Sequence, residues 1–223
     1  MPDAASSSRS AAPAEPANPV VSGEFPDPLA AERARQQMDL IIDSIAGELY
    51  NLASMLVGEG EQGVRLVEEA IDKAEVSACQ NPRAARKSTR RALARGAVAH
   101  LAGLDPAAFT APDGAFHPTT CIEDDDLEST GVSTEQLEAM LTGPERERVR
   151  QWLARLEPAV RTVFVLRAVA SQDATEVAAI LAGFGGPQAV AWQPEAVRHV
   201  FRQGLCSLAS QIVHATTEPA ANH

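Results

Sequence analysis

Apolar positions recur three and four residues apart along most of the chain, the spacing that lines one face of an α-helix. Met38, Ile41, Ile42, Ile45, Leu49, Leu52 and Leu56 form the first such stripe, and Gly58 and Gly60 mark its expected end. A second helix is predicted with Val64, Val67, Ile71 and Ala74 inward and Glu68, Glu69 and Asp72 outward, and a third from about Arg83 to Leu101. Pro106, Pro112 and Pro118 then break the pattern until about Ser133. Beyond Leu156 three short helices follow one another. The first begins at Pro158 and runs through Val163-Phe164-Val165-Leu166-Arg167. The second opens on Asp173-Ala-Thr-Glu176, a capping-box spacing, with Val177, Ile180 and Leu181 inward. The third opens on Pro194-Glu195 and carries Val197, Phe201, Leu205, Leu208 and Ile212 on one face. Three helices in that order suggest a helix-turn-helix, although Gly183 to Gln193 is longer than the usual turn of three or four residues.

Composition narrows the fold class. The chain has 223 residues, of which 45% are hydrophobic and only 4% aromatic, so helical spacing rather than strand alternation accounts for its apolar content. The expected architecture is all-α, with two small helical domains. Residues 1–37, rich in Ala, Ser and Pro, read as a disordered tail, 38–104 as the first domain, 105–133 as a flexible acidic linker, 134–214 as the second domain and 215–223 as a second disordered tail.

The net charge of −11 is concentrated in the middle of the chain. Residues 104–143 hold nine acidic and no basic groups, among them Glu123-Asp124-Asp125-Asp126 and Glu128, whereas 38–103 and 144–223 are each close to neutral. An acidic total disfavours nucleic-acid binding, but charges further apart than about 10 Å are screened in ordinary salt, so a local patch decides contact.

Arg83, Arg86, Lys87, Arg90, Arg91 and Arg95 form such a patch on the third helix, and no acid lies between Glu75 and Asp105. Cations at these spacings can meet a phosphate backbone and release its counterions. The same stripe can equally be a solvated face that pairs with acids on neighbouring helices or on the linker.

Other chemistry is sparse. Cys79, Cys121 and Cys206 are too few and too scattered for a disulfide framework. His117 and Cys121 stand four apart without a second ligand pair, so no metal is expected. Gly185-Gly186-Pro187 lacks the Lys-Ser/Thr of a phosphate loop. No cofactor and no catalytic constellation is expected. Nor is a membrane partner, since the chain has no run of eighteen apolar residues and no apolar leader, which makes the cytoplasm the expected location.

Taken in order, Leu49-Tyr50, Met55-Leu-Val-Gly58, Leu66-Val67-Glu68-Glu69-Ala70 and Lys73-Ala74 resemble conserved region 2 of an extracytoplasmic-function (ECF) RNA polymerase sigma factor. Leu156-Glu-Pro158, Val163 to Arg167 and Glu176 to Leu181 resemble the start of that family's region 4. The resemblance covers about 40–105 and 135–212. It implies that Leu66, Val67, Glu68, Glu69 and Ile71 dock on core RNA polymerase. It further implies that Arg86, Lys87, Arg90, Arg91 and Arg95 hold unwound promoter DNA, and that Arg198, His199 and Arg202 lie on a recognition helix in the major groove.

Two features depart from the family pattern. No aromatic residue occurs between Tyr50 and Phe109, so the stacking platform for unpaired bases, worth about 1–3 kcal/mol per base, is missing. Val200, Gln203, Leu205, Cys206 and Ser207 stand where a recognition helix of this family carries several cations. Two functions follow: an ECF-like sigma factor that binds core polymerase and promoter DNA, or a sigma-like interaction module that binds polymerase or an anti-sigma factor without promoter recognition.

Overall fold

The stop signal at the end of the first stripe is the left-handed conformation of Gly58 (φ 90°), which closes helix α1 (Pro28–Val57) and which a residue with a Cβ rarely adopts. Helix α2 (Glu61–Lys73) follows, then α3 (Pro82–Leu104), where the Asn81 side chain accepts the Ala84 amide at 2.8 Å and Pro82 takes the first turn. A reciprocal box between Ser133 and Gln136 starts α4 (Thr134–Thr142). Helices α5 (Arg146–Arg155), α6 (Pro158–Phe164), α7 (Ala174–Phe184) and α8 (Pro194–Thr217) complete the order. The computed structural model describes residues 28–74, 81–112 and 121–217, and these residues are all-α with no strand among them.

Helix α6 widens into a π-helical turn over Val165–Val169, where the Ala170 amide reaches back to the Val165 carbonyl at 3.0 Å. The turn ends on Ser171, the one non-glycine residue with positive φ (54°) among the described residues. At α7 half of the predicted capping box forms. Asp173 accepts the Glu176 amide at 2.8 Å, while the Glu176 carboxylate points to α3 instead of back to its own helix start.

Several expected boundaries move. Residues 28–37, expected in a disordered tail, are helical, and α8 continues through 215–217. On α2 the inward set is Leu66, Val67, Ala70 and Ala74, with Ile71 partly covered; Val64, expected inward, is exposed.

The largest correction concerns the two bodies and their flexible acidic linker. Buried residues of α1–α3 and α4–α8 belong to one continuous hydrophobic core, and the linker contributes Phe109, Ile122, Leu127 and Val132 to it. The charge count drew attention to the acids of this segment, but its apolar side chains determine its position, because each gains about 25 cal/mol per Å² of apolar surface removed from water. Residues 113–120 of the linker, Cys79 and His117 lie outside the described residues.

Two seams hold the halves together. At one, α3 packs on α7, and the buried Trp192 indole donates to the Phe109 carbonyl at 2.8 Å while Thr110 donates to Gln188 Oε1 at 2.6 Å. At the other, Glu59 pairs with Arg146 and Arg150, and Arg150 donates to Ser54 Oγ at 3.1 Å. Inside α5–α8, Trp152 meets the edge of Phe164 with ring centroids 5.1 Å apart. Gly204 lets Phe164 lie against α8, since a Cβ there would come within 3.0 Å of the ring.

Candidate functional site

The cations of α3 divide between two carboxylates. On one side Glu48 of α1 meets Arg86 at 3.5 Å and Arg90 at 3.0 Å; on the other, Glu176 of α7 meets Lys87 at 3.4 Å and accepts a hydrogen bond from Arg91. Arg95 stands over the Phe184 ring at 5.6 Å. Exposed ion pairs of this kind are weak, about 0–1 kcal/mol, so they orient the side chains without neutralising the patch for good. Lys87 remains 71% exposed.

Between α3 and the turn after α6 lies a recess of about 550 Å³. Arg83, Arg86, Lys87, Arg90 and Arg91 form one wall; Ser171, Gln172 and Glu176 form the other. Lys87 and Arg91 also face a neighbouring recess of about 450 Å³ with Lys73 and Arg95.

The expected recognition helix is largely internal. Ala196, Val197, Val200, Phe201, Leu205 and Leu208 of α8 are buried, and Glu195, Gln203 and Ser210 are its exposed positions between 194 and 210. Its cations are engaged nearby. Arg198 lies 2.9 Å from Glu195 and 3.7 Å from Asp125, and Arg202 lies 3.6 Å from Glu195. Asp125 also accepts from Arg167 at 3.2 Å, and that guanidinium is stacked over Phe201 at 5.0 Å. His199 is half-buried and within 3.1 Å of Gln203.

On α2 the sequence-predicted docking residues separate by face. Leu66 and Val67 are core, Ile71 is partly covered, and Glu68 and Glu69 are exposed beside Asp72. A hydrogen bond and the charge from Lys73, 2.8 Å away, hold the Glu69 carboxyl below the usual range. The predicted residues therefore form three separate patches: α3, α8 and the outer face of α2. Sequence reasoning did not single out Glu48 and Gln172, and it met Asp125 only as part of the acidic run and Glu176 only as a capping residue and part of the region 4 resemblance. For Glu176 the signal was present, in a capping position opposite a basic helix.

Among the described residues no group of three or more His, Cys, Asp or Glu is arranged to hold a metal ion, and no helix is long and apolar enough to cross a membrane. Compared with models of protein families, with curated proteins and with solved structures, the chain finds no match.

Proposed function

We propose that the chain is a sigma-like interaction module of transcription, which binds core RNA polymerase or an anti-sigma factor without reading a promoter. The observation that supports this most is the position of α8. A helix that reads base edges must enter the major groove along one open face. Here α8 is packed over most of its circumference, and Arg198, Arg202 and the adjacent Arg167 are occupied by Asp125 and Glu195. The exposed carboxylates Glu68, Glu69 and Asp72 on α2 form the partner-facing surface, with Leu66 and Val67 shaping it from beneath.

The second reading, an ECF-like sigma factor that also binds promoter DNA, draws on α3. Arg83, Lys87 and Arg95 are exposed there, within reach of a phosphate backbone.

Two assays on the full chain separate the readings. The first captures core polymerase on immobilised protein; the second follows fluorescence anisotropy of promoter-length duplexes at physiological salt. The interaction module predicts capture that survives Arg198→Ala/Arg202→Ala and fails with Glu68→Lys/Glu69→Lys, with no sequence-selective duplex binding. Selective duplex binding lost on Arg198→Ala/Arg202→Ala would establish the sigma-factor reading instead.

A further inference from the structure

The recess between α3 and the turn after α6 has two walls of different chemistry. The α3 wall supplies five cations, and among the described residues the carboxylates that reach them are Glu48 and Glu176, so that three more cations than carboxylates meet there. Among the described residues Arg83 has no ion pair. The opposite wall is polar. Gln172 is 7% exposed, and its Oε1 has no hydrogen-bond partner, while Arg86 Nε on the facing wall is likewise buried and unpartnered. A buried acceptor without a donor costs about 1–3 kcal/mol, so each such group calls for an explanation. The main chain that carries Gln172 is itself unusual, since it follows the π-helical turn and the left-handed Ser171 at the edge of the recess. Strained backbone of this kind is found where binding demands it.

We propose that this recess binds a small molecule carrying two or more phosphate groups and a hydrogen-bond donor, the chemistry of a nucleoside polyphosphate. Arg83, Arg86, Lys87, Arg90 and Arg91 receive the phosphates, the arginines through paired N–H groups that match two phosphate oxygens. Gln172 Oε1 accepts from a hydroxyl or amino group at the other end of the ligand. The volume of about 550 Å³ falls within the range of ligand sites, about 300–1,000 Å³. Phosphates displace Glu48 and Glu176 at small cost because those ion pairs are partly exposed. A compact anion fills a concave site from both walls, whereas a duplex touches its rim. The inference goes beyond partner binding by α2 and does not depend on it.

The test is isothermal titration of the full-length protein with inorganic tripolyphosphate, with adenosine and guanosine triphosphates, and with a short duplex DNA, at low and at physiological salt. Circular dichroism and thermal midpoints check that every variant is folded. The expected result is saturable binding of the nucleoside triphosphates, weakened at least tenfold by Arg83→Ser/Lys87→Ser. Gln172→Leu is expected to lower nucleoside triphosphate affinity at least threefold and to leave tripolyphosphate unchanged. No binding by millimolar concentrations at low salt overturns the proposal, as does binding indifferent to Arg83→Ser/Lys87→Ser. Equal affinity of tripolyphosphate and nucleoside triphosphates with no effect of Gln172→Leu also overturns it. So does duplex DNA that competes as well as the triphosphates, which would make the recess part of a nucleic-acid surface.

Discussion

The indole Nε1 of Trp192 donates to the main-chain carbonyl of Phe109 at 2.8 Å, in a fully buried contact between the α7–α8 connection and the segment after α3. The residues stand 83 positions apart. The bond converts what reads as a flexible joint into part of the core. Trp192→Phe leaves the carbonyl without its donor and should cost about 1–3 kcal/mol, while Trp192→Ala also opens a cavity and should cost about 3–5 kcal/mol. Urea unfolding followed by circular dichroism measures both, and a neutral Trp192→Phe would mean that this hydrogen bond contributes nothing to stability.

The α2 helix should divide cleanly between stability and binding. Leu66→Ala removes a side chain that is 3% exposed and should destabilise by about 2–5 kcal/mol. Glu68→Lys/Glu69→Lys lies on the outer face and should leave the thermal midpoint unchanged while weakening polymerase capture. Calorimetry and the capture assay on the same samples decide the matter. A charge-reversed protein that binds polymerase as well as wild type removes the docking role.

Much of the helical fold was legible because its signals are local. Asp173, Pro194 and Gly58 each act within one turn of their own helix, and the stripes Val177-Ile180-Leu181 and Val197-Phe201-Leu205-Leu208 are buried as their spacing predicts. Docking between the halves was not legible, since it depends on single apolar residues such as Phe109 and Leu127 set among prolines and acids, where no periodicity marks them. The candidate sites were legible as residue types but not as geometry. The stripe of cations on α3 is plain in the sequence, yet its partners Glu48 and Glu176 come from helices 42 and 85 residues away. Gln172 is made conspicuous only by the π-helical turn, which no residue pattern announces.

The Cys206 thiol responds to pH in a way that reports on the joint between the linker and α8. Burial pushes the Cys206 thiol up to about 11, and a hydrogen bond with the Cys121 thiol adds to the shift. The folded value lies above the ordinary one, so this group's contribution to stability is complete below about pH 9 and is lost as the pH rises towards 11. Cys121 is exposed. Alkylation of the folded protein at pH 8.5 should therefore modify Cys121 well before Cys206, and Cys206→Ala should flatten the fall in stability between pH 9 and 11. Equal alkylation rates, read by peptide mass mapping, would show that the Cys206 thiol is open to solvent.

The central claim is that α1–α3 and α4–α8 are one body with α8 inside it. Native-state hydrogen exchange in low urea tests this most directly, because amides that open together share one free energy and one urea dependence. The account predicts that the protected amides of α3, around Leu93 to Val98, and those of α8, around Val200 to Leu208, merge into a single isotherm. An α8 that opens in its own transition, several kcal/mol below α3, would contradict it and restore two independent domains with a recognition helix free to meet DNA.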